Sequence, residues 1–188
     1  MSKGKLLIFS APSGTGKTTI ITELRKKISQ LEFSISATTR EPRGKEQNGV
    51  EYFFLTKEDF QSKIKAGEFV EYKNVYENYY GTLKSYVDRS LKEGKNIIFD
   101  VDVQGALEIK KEYPLDSVMI FIYPPSIGDL RKRLEIRGTD SPEIIEKRLK
   151  YAQKELDQID HYEYKVKNER IDDAVEEILK IFKKLKIK

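Results

Sequence analysis

The stretch "SAPSGTGKTT", residues 10–19, follows directly on the apolar run "LLIF" at 6–9. Its reading sets the rest of the chain in order. A short buried strand, a glycine-rich turn and a helix opening near Lys17 are the parts of a P-loop. Ala11, Pro12, Ser13, Gly14, Thr15, Gly16, Lys17 and Thr18 match G-x-x-x-x-G-K-[ST] except at the first position, where Ala11 replaces glycine. Gly14 and Gly16 let backbone N–H groups converge on phosphate oxygens, and the helix N-terminus adds a partial positive charge. Lys17 would neutralise the β- and γ-phosphates, and Thr18 would place its hydroxyl on Mg²⁺. A dinucleotide fingerprint fits worse, because Thr19 stands where its third glycine should be. The loop therefore predicts a nucleoside triphosphate. It does not separate a kinase from a GTPase or a motor.

Outward from the loop, Ile20, Ile21, Leu24, Ile28 and Leu31 recur at helical spacing. Apolar strands are expected at 96–102, 117–125 and 162–166, with helical patterns at 83–92, 105–112 and 126–158. This alternation predicts an α/β fold with a parallel sheet covered on both faces. Residues 34–80 break the rhythm. "FSISATT", "EYFFL" and "EFVEYKNVY" are short, half-polar and rich in β-branched and aromatic residues, with one helical piece, "KEDFQSKIKAG", among them. They read as a small strand-rich insertion. Residues 130–149 read as two charged helices joined at Gly138, with Asp140 or Ser141 as N-cap and Pro142 in the next first turn. The C-terminal stripe Ile171, Ala174, Val175, Ile178, Leu179, Phe182 and Leu185 is that of an amphipathic helix packed on the sheet.

With 188 residues the chain can bury one real core. Cysteine is absent, which excludes disulfides and thiolate metal sites and agrees with a cytoplasmic location. The lone His161 cannot build a histidine cluster and reads as a surface or capping residue. No apolar run is long enough to span a bilayer, and the N-terminus reads as free of a signal peptide. The net charge of +4 is mild and its basic residues are interleaved with acids, so neither nucleic acid nor membrane is expected as a partner. Oligomeric state is left open.

Beyond the loop, "TTREPR" (38–43) sets two arginines around a proline, a pattern suited to bidentate phosphate recognition or to a solvated turn. "GVEYFF" (49–54), "EFVEY" (68–72), "NYYGT" (78–82) and "FDVDVQGA" (99–106) follow in order. Together with the loop, and with "RGT" and "KRL" further on, this series closely resembles guanylate kinase of the bacterial type. That resemblance implies a P-loop core (1–33, 83–125 and 159–188), a GMP-binding insertion (34–82) and a helical lid (126–158). It implies ATP and GMP as substrates, dGMP as a further acceptor, and Mg²⁺ as cofactor. Arg40 and Arg43 would grip the GMP phosphate, helped by Tyr52 and Tyr80. Ser36, Glu71, Thr82 and Asp102 would read guanine. Arg133, Arg137 and Arg148 would reach from the lid toward the transferring phosphoryl group, and Asn168 would lie near adenine.

The residue chemistry agrees with this reading. Asp100 and Asp102 alternate, so a strand would point both to one face, at the C-terminal edge where α/β sheets bind ligands. Asp100 could act on Mg²⁺ through water and Asp102 could accept from guanine; two acids closing a strand can equally be structural. Arg133 and Arg137 are four apart and share a helix face, which could also be a solvated one. Tyr79 reads as a core aromatic. Two alternatives stand beside the leading one: an interaction module of the same fold without catalysis, against which the intact loop speaks, and a kinase for another nucleoside monophosphate. A GTPase would need an N-K-x-D signal, and "KNER" at 167–170 is not one.

Overall fold

A computed structural model describes residues 3–187. The chain opens with β1 (Leu6–Ser10), α1 (Lys17–Lys27) and β2 (Leu31–Phe33). It then enters the insertion: β3 (Ser36–Thr38), β4 (Tyr52–Phe54), α2 (Lys57–Lys65), β5 (Phe69–Val75) and β6 (Asn78–Leu83). It returns through α3 (Lys84–Lys92), β7 (Asn96–Asp100), α4 (Val103–Glu112) and β8 (Ser117–Tyr123). A helical pair follows, α5 (Ile127–Arg137) and α6 (Pro142–Leu156), then a 3₁₀ turn at Ile159–His161, β9 (Tyr164–Lys167) and α7 (Ile171–Lys184).

The main sheet has the order β2-β7-β1-β8-β9, and every pair in it is parallel. Continuous apolar runs such as "LLIF" suit strands buried on both faces. The two-residue period divides them. Leu7, Phe9, Ile98 and Ile120 pack with Ile20 and Leu24 of α1 and Ala174, Ile178 and Phe182 of α7. Leu6, Ile8, Phe99 and Phe121 pack on the other side with Val87 and Leu91 of α3 and Ala106 and Ile109 of α4. Phe9 meets Phe182 edge-on at 6.4 Å. Truncating Phe182 to alanine would cost about 3–5 kcal/mol, in the range of buried aromatic deletions. The C-terminal helix thus packs on the sheet as its stripe predicts.

Two expectations need correction. Leu31 does not continue the helical stripe of α1. The helix ends at Lys27, and Leu31 starts β2, paired with Asn96 of β7. Three residues are too few to show a strand period, so the helical pattern masks them. Asp102 does not lie on the strand with Asp100. β7 ends at Asp100, and Asp102 is the N-cap of α4, its Oδ1 accepting from the Gly105 N–H at 2.9 Å. An Asp three residues before a free helical N–H satisfies that donor better as a cap than as a strand residue.

The insertion forms its own mixed sheet, β4-β3-β6-β5, with β3 and β4 parallel and the other pairs antiparallel. Thr56 caps α2 through the Asp59 N–H. Phe60 of α2 stacks on Phe69 at 4.2 Å and on Tyr79 at 5.3 Å, so Tyr79 packs against the core of the insertion, as its sequence predicts. The helical pair has a separate small core of Leu130, Leu134, Ile145, Leu149 and Ala152. Its joint falls at Gly138, whose φ of 65° closes α5, and Ser141 precedes Pro142 as the N-cap of α6. His161 is exposed at the end of the 3₁₀ turn.

Candidate active site

The turn between β1 and α1 needs its glycines. Gly14 has φ 90° and Gly16 has φ 98°, a region that side chains rarely adopt. A Cβ on Gly16 would lie 2.7 Å from Asn168 Nδ2, and one on Gly14 would lie 2.8 Å from a Leu134 methyl. The loop is therefore pressed between the loop after β9 and α5. Asn168 is buried and donates to the Thr15 carbonyl at 2.6 Å. Lys17 projects from the first turn of α1 to Asp100 Oδ1 at 2.5 Å and donates to the Val101 carbonyl at 3.1 Å.

A cavity of about 640 Å³ lies over this loop. Ala11, Pro12, Ser13, Gly14, Gly16, Lys17 and Thr18 line it from below, and Arg133 and Arg137 from α5. Asn168, Thr15 and Arg133 line an adjoining groove. Beside Asp102 opens a second cavity of about 270 Å³, walled by Ser36, Tyr52, Glu71, Tyr80 and Asp100. Asp102 lines both cavities.

Two acids of the smaller cavity shift in opposite directions. Glu71 is half-buried, and burial pushes its carboxyl above the ordinary value, against a 2.7 Å hydrogen bond donated by Thr82. Burial also pushes Asp102 up, but the Gly105 N–H, Lys73 and Lys17 outweigh it and hold Asp102 below the ordinary range. Lys73 sits 3.3 Å from Asp102 Oδ2.

The arginines separate into distinct groups. Arg133 donates to the carbonyls of Thr15 (3.2 Å), Asn168 (2.8 Å) and Glu169 (3.3 Å), tying α5 to the loop. Arg148 reaches Ser13 Oγ at 3.3 Å and pairs with Asp140 at 3.1 Å. Arg137 is exposed and faces the larger cavity. Arg40 lies outside both cavities, paired with Glu46, and Arg43 is exposed on the same loop. The structure thus gathers most of the expected residues at one end of the main sheet, and leaves Arg40 and Arg43 at its margin.

Three residues at the site were not anticipated. Lys73 lines the smaller cavity two residues beyond Glu71, a spacing that puts both on one strand face. Glu155, near the end of α6, lines the larger cavity, where burial raises its carboxyl against the attraction of Lys17. Nothing in the local pattern of α6 distinguishes it from the other acids of that helix. Glu46 organises the Arg40 loop and carries no sequence period of its own.

A triphosphate-type loop and a carboxylate-lined pocket that meet at Asp102, at the C-terminal edge of a parallel sheet, define a P-loop kinase of small phosphorylated molecules. Comparison with known proteins narrows the class. The family model described as guanylate kinase matches residues 3–185. A guanylate kinase of Porphyromonas gingivalis is 54% identical over 94% of this chain and 95% of its own length. One of Bacteroides thetaiotaomicron is 50% identical over 96% of this chain and 89% of its own. In structure, the chain superposes on a crystal structure of guanylate kinase from Anaplasma phagocytophilum with TM-score 0.71, 29% identity, and coverage of 100% of this chain and 89% of that one. The chain belongs to the guanylate kinase family.

Proposed function

We propose that this chain transfers the γ-phosphoryl group of ATP to GMP, and to dGMP, giving ADP and the nucleoside diphosphate. The observation that supports the reading is that the cavity over the loop and the smaller carboxylate-lined cavity adjoin at Asp102. The loop from Ala11 to Thr18 holds the ATP phosphates, with Asn168 beside the adenine. Glu71 and Asp102 accept from the guanine N1–H and N2–H groups, while Ser36 or Thr82 donates to O6. Arg40, Arg43, Tyr52 and Tyr80 take the acceptor phosphate. Residues 34–82 act as the acceptor-binding part, 126–158 as a lid, and the rest as the core.

The acceptor phosphate is already anionic near neutral pH, so no strong base is needed. The obstacle is repulsion between two polyanions. Lys17, Arg137 and Arg148 offset it, and Arg133 joins them when the lid rearranges around ATP. Thr18 and Asp100 suit Mg²⁺, which takes one or two protein oxygens beside substrate phosphates and keeps its waters. Among the described residues no group of three or more His, Cys, Asp or Glu gathers to hold a metal unaided, which agrees with an ion carried on the nucleotide. When bound, the ion supplies further neutralisation of phosphate charge. Closure of the lid and the insertion excludes water and protects ATP from hydrolysis. Among the described residues no helix is long and apolar enough to cross a membrane, and a cytoplasmic enzyme is part of the same proposal.

The test is a coupled ADP-release assay across GMP, dGMP, AMP, CMP, UMP and dTMP, with Mg²⁺ and after chelation. Strong turnover with GMP and dGMP that chelation abolishes is expected. Equal turnover with AMP, or none with any acceptor, overturns the reading.

A further inference from the structure

The loop between β3 and β4 draws attention through its arginines, yet the group that organises it is a carboxylate. Glu46 accepts from Arg40 Nη2 at both oxygens, 2.9 Å to Oε1 and 3.0 Å to Oε2. Its Oε2 also accepts from the Arg43 backbone N–H at 2.7 Å. The Glu46 N–H in turn donates to the Arg43 carbonyl at 3.2 Å, so the 43–46 turn is closed from both sides. Arg40 is held on two further sides. Its Nη1 donates to the Glu41 carbonyl at 2.6 Å, and its guanidinium lies over the rings of Tyr52 at 5.2 Å and Phe54 at 6.0 Å. Only 11% of the Arg40 side chain is exposed. Tyr52 meets Tyr80 edge-on at 6.3 Å, and both tyrosines wall the smaller cavity. An ordinary surface ion pair joins two wandering side chains and does little. This pair is seated on an aromatic floor next to the acceptor pocket, and one carboxylate serves two arginine positions.

We propose that Glu46 is a positioning residue for the acceptor phosphate: it holds Arg40 and the Arg43 turn in the arrangement that receives a nucleoside 5′-monophosphate. This rests on the acceptor assignment above. A guanidinium carries five N–H donors. Glu46 engages it through Nη2 and the Glu41 carbonyl through Nη1, so Nε and one Nη1 hydrogen are held by neither, and the Tyr80 side chain lies beside the guanidinium. A carboxylate that merely competed with phosphate would have no reason to bind the Arg43 backbone as well. Ordering the Arg40 side chain and the Arg43 backbone before the ligand arrives removes that cost from binding. Glu46 stays ionised through the assay range, because the hydrogen bond from Arg40 and then the Arg43 N–H hold its carboxyl below the ordinary value.

The experiment is calorimetric titration of GMP into wild type, Glu46→Ala and Glu46→Gln, together with steady-state kinetics and melting curves. A wild type that binds no GMP defeats the acceptor assignment itself. Given wild-type binding, E46A is expected to weaken GMP affinity and raise its KM about 10- to 100-fold, the range for lost supporting contacts. The KM for ATP should stay within about twofold. E46Q keeps one acceptor oxygen and should recover part of the loss. Unchanged GMP affinity in a folded E46A protein would show a purely structural pair, and tighter binding would show a competitor; either overturns the proposal. Should E46A melt below the assay temperature, Glu46→Asp, which withdraws the same charge by one methylene, must weaken GMP in the same direction.

Discussion

Glu71→Gln separates the function of the acceptor pocket from its stability. Glu71 is half-buried in β5 and accepts from Thr82 at 2.7 Å. Guanine offers it two donors, N1–H and N2–H, and a carboxylate can accept from both. The amide keeps one oxygen and turns an NH₂ toward the other donor. Losing the charge-assisted bond costs about 1.5–3 kcal/mol, and the unsatisfied donor about 1–3 kcal/mol more. A neutral group is cheaper to desolvate, which returns part of this. The net is about 3–4 kcal/mol, or about a 10²- to 10³-fold loss in kcat/KM for GMP. AMP lacks both donors, so its efficiency should fall far less, and the GMP:AMP ratio should shrink. Stability should move the other way. Burial raises the Glu71 carboxyl above its unfolded value, so the folded state binds more protons than the unfolded state between the two. Its stabilising form is fully present below the unfolded value, and that contribution is lost as pH rises through the folded one. The glutamine variant carries no such loss and should melt higher than wild type near neutral pH, with the gap closing in acid. The assays are coupled ADP release with GMP and AMP, and melting curves across pH. Wild-type GMP efficiency and discrimination in the variant would refute the guanine-reading role of Glu71.

Lys17→Ala should cut kcat about a thousandfold or more in a protein that still folds, by loss of charge stabilisation at the transferring phosphate; near-normal turnover would sink the phosphate-cradle reading. Gly16→Ala should destabilise by about 1–3 kcal/mol, because φ is 98° and the new Cβ would meet Asn168 Nδ2 at 2.7 Å; an unshifted urea midpoint would contradict it. Asp102→Asn keeps an N-cap acceptor for the Gly105 N–H but removes the charge that Lys73 and Lys17 favour, so the melting temperature should fall modestly near neutral pH, with the gap closing in acid, while GMP efficiency drops at least tenfold in ADP-release assays. GMP and a non-hydrolysable ATP analogue together should compact the protein more than either alone, read as a smaller radius of gyration in solution scattering.

The parts legible in the sequence are those whose cause is local. The P-loop declares itself in eight consecutive residues because strand, turn and helix N-terminus must be adjacent to hold a phosphate. The central strands of the parallel sheet show in their apolar runs because burial on both faces leaves almost no polar positions, whereas the edge strands β2 and β9 keep Glu32, Lys165 and Lys167. β2 is three residues long and inherits the spacing of the helix before it, so only its pairing with β7 reveals it. Asp102 looks like a strand residue until the chain turns, since alternation and capping both ask for an acid at that position.

What the sequence hides is the choice among partners far apart in the chain. The spacing of Arg133 and Arg137 places both on one helix face but says nothing of what that face meets. Leu134, between them, packs so tightly on the loop that Gly14 has no room for a Cβ. Arg133 donates to the Thr15, Asn168 and Glu169 carbonyls, while Arg137 is exposed, although both line the larger cavity. The same logic holds at the other end of the site. Arg40 and Glu46 are joined by a loop with no regular period, and the aromatic floor that fixes them comes from β4. A motif names the residues that can touch phosphate, whereas packing between distant segments decides which of them are already aimed and which must move when ligands bind.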